Sequence, residues 1–283
     1  AYDRNPAHPV AESSLFWSGY CLYQARRYTE ALQELETLLQ KYPAGRWRPE
    51  AEYLTGASYF RLKKFKEAAD QFKDFWRRYP RHPLEESSHY ALAWSLVSLG
   101  QYPEGRKTFE DILLTHPGTK LSDPIFWGII KTYLGADDVE RAILLYQRFL
   151  SQFLSSPWGE QCLFDIGQYY FAKREYSNTA SILRQFLRTY HESELHEWVH
   201  FMLGESLFHQ GDYKGAIVSY HQVLEEKGGA GLDPFAISKL GYADFYLKDY
   251  GMSIQYWERL LADFPHLVEK NEIRYWLAEA SLS

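Results

Sequence analysis

The sequence predicts an all-α fold, a solenoid of stacked antiparallel helix pairs. Three observations carry that prediction. A 37-residue period that starts at Tyr28 repeats six times without an insertion. Within each period, apolar residues recur at spacings of three and four, the spacing of one helix face. No alternating stretch marks a strand.

The first helix of each unit surrounds a small residue: Gly19, Gly56, Ala93, Gly167, Gly204 and Gly241, with Ile130 as the exception in the fourth unit. Three residues earlier stand Phe16, Tyr53, Tyr90, Trp127, Phe164, Phe201 and Ser238. Four residues later stand Tyr23, Phe60, Val97, Leu134, Phe171, Phe208 and Phe245. A turn follows, near the column Tyr28, Phe65, Tyr102, Val139, Tyr176, Tyr213 and Tyr250, and the second helix lies beyond it. Three residues on, the second helix is small throughout: Ala31, Ala68, Gly105, Ala142, Thr179, Ala216 and Ser253. Its bulky stripe includes Leu35, Phe72, Phe109, Tyr146, Leu183, Tyr220 and Trp257. It ends before Pro at Tyr42, Tyr79, His116 and Phe264, because Pro lacks an N–H and disfavours helical geometry in the preceding residue. Small residues let the two backbones approach, and aromatics fill the groove that is left. One pair cannot bury both of its faces, so the pairs must stack.

The chain of 283 residues has a net charge of -6 and 46% hydrophobic residues, a globular composition. Mild acidity argues against a nucleic-acid partner, which calls for a basic face. No apolar run reaches about 18 residues, so no membrane span is expected. The opening AYDRNPAHPV shows no basic stretch followed by an apolar one, so no signal peptide is expected within these residues. Cys21 and Cys162 offer neither a disulfide framework nor a zinc knuckle, and they lie in the first and fifth repeats, too far apart to bridge.

The columns resemble the tetratricopeptide repeat, whose signature is a small residue in helix A, an aromatic opening helix B, an Ala three residues later and a closing Pro. "GASYF", "FKEAADQF" and "GESLFHQGDYKGAIVSY" follow it, and the resemblance covers essentially the whole chain. It implies a right-handed superhelical solenoid with residues 1–283 as one array. Residues 1–10 would be the tail of a preceding repeat, 11–268 would hold about seven repeats, and 269–283 would start an eighth. Tyr275, Ala278 and Leu282 fall on helix A columns of that eighth unit, so the array is expected to continue beyond this segment. The period of 37 exceeds the family's usual value of about 34. Phe75, Phe149 and Phe186 occupy a helix B position that is commonly Ala. Such long repeats resemble bacterial envelope members, namely outer-membrane assembly lipoproteins and the periplasmic partner of the Tol–Pal system. That likeness implies a periplasmic or outer-membrane-associated setting. "EEKGGAGLDP", Glu225 to Pro234, is the most glycine-rich linker and the expected mobile joint.

One string points elsewhere. "HEWVH", His196 to His200, matches H-E-x-x-H, in which two imidazoles one turn apart share zinc and the Glu activates water. The repeat register divides it. Glu197 shares a column with Glu12, Pro49, Glu86, Asp123, Glu160 and Pro234, residue types that suit a first helical turn. His200 shares one with Leu15, Glu52, His89, Phe126, Leu163 and Ile237, mostly packing residues. His196 belongs with Ala11, Arg48, Glu85, Ser122, Gly159 and Asp233, which reads as an exposed column. The extended motif would need Gly and His where Leu203 and Ser206 stand. A zinc hydrolase is the weakest reading, and no catalytic residue, metal or other cofactor is expected.

The resemblance implies recognition, with helix A lining a concave groove. Carried onto this sequence, the groove positions are Tyr20, Gln24, Arg61, Trp94, Lys131, Gln168, Trp198, Glu205, His209, Tyr242 and Tyr246, with Ser13, Phe235 and the Phe16 column beside them. Trp94, Trp198, Tyr20, Tyr242 and Tyr246 are the aromatic candidates, because their columns vary in type while packing columns stay uniform. Such aromatics suit protein or peptide partners. They would also stack on sugar rings, so a scaffold for polysaccharide assembly or secretion is the alternative. The family's Lys/Asn clamp for a chaperone's terminal carboxylate is not reproduced, since its first Lys position is aromatic in six of seven repeats. The expectation is a non-enzymatic scaffold for partner proteins.

Overall fold

A computed structural model describes residues 9–153, 156–226, 231–266 and 270–282. Among them are fifteen α-helices and no strand. The chain divides into two compact units, Ala1–Ser156 and Pro157–Ser283. Unit 1 holds α1 (Pro9–Gln24), α2 (Tyr28–Lys41), α3 (Arg48–Arg61), α4 (Phe65–Arg78), α5 (Glu85–Ser98), α6 (Tyr102–Thr115), α7 (Ser122–Gly135) and α8 (Val139–Gln152). Unit 2 holds α9 (Trp158–Ala172), α10 (Tyr176–Thr189), α11 (His196–His209), α12 (Tyr213–Glu225), α13 (Asp233–Tyr246), α14 (Tyr250–Asp263) and α15 (Lys270–Leu282). Odd-numbered helices are helix A of a pair and even-numbered ones helix B. Within each unit, consecutive helices pack on one another, as tetratricopeptide pairs do. Residues 1–8 of the expected N-terminal tail and 227–230 of the expected joint lie outside the described residues.

The close approach inside each pair is visible at the small column. An added Cβ at Gly19 would lie 2.9 Å from Leu35, at Gly56 2.9 Å from Phe72, and at Gly204 2.6 Å from Tyr220. At Gly241 it would run into the Trp257 ring. Each partner is a fully buried helix B side chain, and burial of one such residue contributes roughly 1.5–3 kcal/mol. The fourth repeat differs. Ile130 is buried there, and Gly128 admits the Phe109 ring of the preceding helix B, 2.6 Å from where its Cβ would be. A second contact recurs beside the turn, where the aromatic four residues after the small position meets the first residue of helix B edge-on. The Tyr23–Tyr28, Phe60–Phe65, Phe208–Tyr213 and Phe245–Tyr250 centroids are 5.3–5.4 Å apart.

The turn itself places one residue in the left-handed region in every repeat: Arg26, Lys63, Gly100, Asp137, Arg174, Gly211 and Lys248, with φ of 59–79°. Glycine is the residue that adopts this conformation freely, and others lose about 1–2 kcal/mol there. Only two of the seven are glycine.

Between repeats, the start of helix A must satisfy free N–H groups without a capping side chain of its own, since Trp47, Leu84, Leu121, Leu195 and Leu232 stand at the N-cap. Two devices serve. His82, Thr119 and Ser193, each two residues upstream, accept from the N–H of Leu84, Leu121 and Leu195. At the other two, the first-turn acid of the preceding helix A reaches across: Glu12 accepts from the Trp47 N–H at 2.7 Å and Glu197 from the Leu232 N–H at 3.1 Å. Gly45 clears the space that Glu12 needs.

α15 packs through a different face from the columns expected to define it. Ile273 and Ala280 are buried, and Trp276 and Leu277 pack beside them in the same core, which also contains Trp257 and Leu260 of α14. Tyr275 and Leu282 are exposed. Helix A has two packing faces, and α15 uses the one that meets the preceding helix B.

Two predictions follow from this geometry, both read by urea denaturation. Gly241→Ala should destabilise by about 1–3 kcal/mol through overpacking, whereas Gly251→Ala, exposed in the first turn of α14 with only Asp249 Oδ1 in ordinary contact, should stabilise by up to about 1 kcal/mol. Lys63→Gly should stabilise by about 1 kcal/mol, and Gly211→Lys should destabilise by a similar amount.

Candidate functional site

The side chains of the HEWVH string are engaged within the fold. Glu197 is buried and its carboxylate accepts from the Leu232 N–H. His196 is the correction to the expected exposed column. It is half-buried, with Nε2 on the Tyr190 carbonyl and Nδ1 3.7 Å from Glu226, because the segment leading into α11 folds back over the end of α10. The His200 ring lies edge-on to His196 at 6.1 Å, and burial lowers its pKa. No group of three or more ligand side chains that could hold a metal occurs among the described residues. The same column elsewhere serves packing: His89 stacks on Trp76 at 4.8 Å, and buried Glu52 pairs with Arg48 at 2.9 Å and with Arg78.

The positions carried over as a groove fall into three environments. Some are open. Trp198 is 44% exposed at the start of α11, and Phe235, one period later on α13, is 56% exposed. Gln24 and Gln168 are also exposed. Others are half-buried in aromatic clusters. Tyr20 lies edge-on to Trp17 at 5.5 Å, and Trp94 lies 4.8 Å from Trp127 and edge-on to Phe109 at 5.4 Å. Lys131 is half-buried on α7.

The third set forms seams between successive repeats. His209 stacks on Tyr176 at 4.5 Å, and Tyr246 stacks on Tyr213 at 5.0 Å. Each pair joins the end of one helix A to the start of the preceding helix B. In unit 1 the equivalent place holds Arg61, bonded to the Tyr23 hydroxyl, and Gly135, where a Cβ would strike Tyr102. Glu205 accepts from the Tyr220 hydroxyl at 2.6 Å and from Lys239 at 2.8 Å. The Tyr242 hydroxyl donates to Glu272 at 2.8 Å, and burial followed by that carboxylate raises its pKa. Lys239 was missed by sequence reasoning because its column reads as packing, with Leu54, Gly128 and Met202 as sister residues. A lysine among them was the available signal.

One helix A acid is strained by its setting. Asp244 on α13 is 8% exposed, and burial, with a smaller contribution from Asp249, pushes its pKa from 3.8 up to about 6. Between those values the folded chain holds more protons than the unfolded one, so stability falls as pH rises through that window and is flat above it. Asp244→Asn should therefore be more stable than the parent by about 1–2 kcal/mol at neutral pH, once residual hydration of the carboxylate is allowed for. The advantage should vanish below about pH 4, as thermal melts across pH would show. Glu197→Ala should lose about 1–3 kcal/mol because it orphans the Leu232 N–H, and purified protein should carry no stoichiometric zinc by metal analysis.

Comparisons with known proteins agree with this architecture. The outer membrane lipoprotein model YfiO matches residues 9–101 and 129–222, more than half of the chain. A tetratricopeptide repeat model matches residues 87–119. No curated protein matches the chain in sequence. Among solved structures, a tetratricopeptide repeat protein from Parabacteroides merdae is similar at 12% identity and TM-score 0.60, covering 95% of this chain and 98% of that one. The C-terminal part of a repeat protein from Cytophaga hutchinsonii is similar at 15% identity and TM-score 0.63, covering 91% and 98%. Pseudomonas aeruginosa pilF is similar at 13% identity and TM-score 0.52, covering 80% and 96%. At these identities the structures show the fold alone, a tetratricopeptide solenoid, which is in general a protein–protein interaction scaffold. No helix among the described residues is long and apolar enough to cross a membrane. On the extent of the YfiO match, the chain belongs to the YfiO outer membrane lipoprotein family.

Proposed function

We propose that this chain is a non-enzymatic scaffold of a cell-envelope assembly, associated with the outer membrane or periplasm, and that it holds segments of partner proteins on its helix A surfaces. The observation that carries the reading is the exposure of Trp198 and Phe235. They stand at the same position of successive helices A in unit 2, between Gln161 and Glu272, where unit 1 has Ser13, Glu50, Ser87 and Pro124. Exposed large aromatics at matched positions supply the anchors on which protein interfaces depend. The family supports the envelope setting. The scaffold reading is further supported by Glu197, whose carboxylate serves as a cap rather than as a base.

A photo-crosslinking amino acid tests it in cells. Placed at Trp198, Phe235 or Trp94, it should yield adducts with a partner protein. At Leu114 or Val218, exposed on helices B, it should not. Adducts confined to the helix B positions would overturn the assignment.

A further inference from the structure

The two units differ in charge. Unit 1 has 20 Lys and Arg against 19 Asp and Glu, whereas unit 2 has 11 against 18. The difference reaches the helix A surface. In unit 1 the outward positions carry Arg61 and Lys131 against Glu50. In unit 2 they carry Glu205, Glu272 and Glu279, with Asp233 exposed two residues from Phe235. Lys239 and Glu205 neutralise each other, and the exposed Arg274 on α15 offsets one further acid, so Asp233, Glu272 and Glu279 leave the surface net acidic.

We propose that the helix A surface of unit 2 takes a cationic polypeptide segment with two apolar anchors, one seated on Trp198 and the other on Phe235. This rests on the scaffold reading above and specifies its partner. Successive helices A lie on the order of 10 Å apart, which an extended chain spans in about three residues. The segment therefore carries large apolar residues at i and i+3, with Lys or Arg beside them to meet Asp233 and the exposed carboxylate of Glu272. Association of such charges is steered by the acidic field and weakened by salt.

Fluorescence anisotropy with synthetic peptides and the full chain tests the proposal. The probe is a peptide of about twelve residues with two Phe three apart and four Lys. Its counterparts replace Lys by Glu, or Phe by Ser. The Lys/Phe peptide should bind, and its affinity should fall about tenfold between roughly 50 and roughly 500 mM salt. It should lose at least about tenfold in the variant carrying Trp198→Ala and Phe235→Ala. Asp233→Lys changes only an exposed side chain and keeps both aromatics. It should weaken the Lys/Phe peptide severalfold. Equal or tighter binding of the Glu peptide would overturn the charge assignment while leaving the groove reading intact. Unchanged binding in both variants would overturn the location. No binding of any peptide would overturn the partner class, and the crosslinking result would then stand or fall separately.

Discussion

The fold depends on how closely helix A and helix B approach within a pair. Glycine at Gly19, Gly56, Gly204 or Gly241 lets a fully buried Leu, Phe, Tyr or Trp of helix B lie against the helix A backbone. Closeness there draws the turn tight, and a tight turn requires one residue in the left-handed region. It also brings the end of helix A against the first aromatic of helix B, which explains the recurring edge-on ring contacts. The fourth repeat departs from this, with buried Ile130 at the small position.

Much of this was legible in the sequence. Every helix B from α2 to α14 begins at the aromatic or Val column that the 37-residue period marks. That works because helix starts, buried stripes and proline stops are local signals that recur with the period. What was not legible depends on a second residue far along the chain. The Glu197 carboxylate looks like any first-turn acid until Leu232 is brought beneath it, and His196 looks exposed until Tyr190 and Glu226 close over it. The left-handed turn position left no trace, because Arg, Lys, Asp and Gly share one column.

The candidate site was partly legible for the same reason. Periodicity separates outward positions from inward ones, so Trp198 stood out. It does not say which outward side chains neighbouring repeats engage. Glu205, Tyr242, His209 and Tyr246 have partners one or two helices away and act as seams, though Tyr246 stays 50% exposed, as open as Trp198 and Phe235.

The seams also determine how such an array can be cut and joined. His209 with Tyr176, and Tyr246 with Tyr213, join the last residue of a helix A to the first residue of the helix B before it. A block excised from helix A to helix B, following the sequence period, separates those partners at both of its ends. A block running from Tyr176 to His209, helix B first, keeps its stacked pair whole. That block in turn parts Gly204 from Tyr220, so neither phase of cutting leaves every close contact intact, and a grafted segment needs a partner helix at one end.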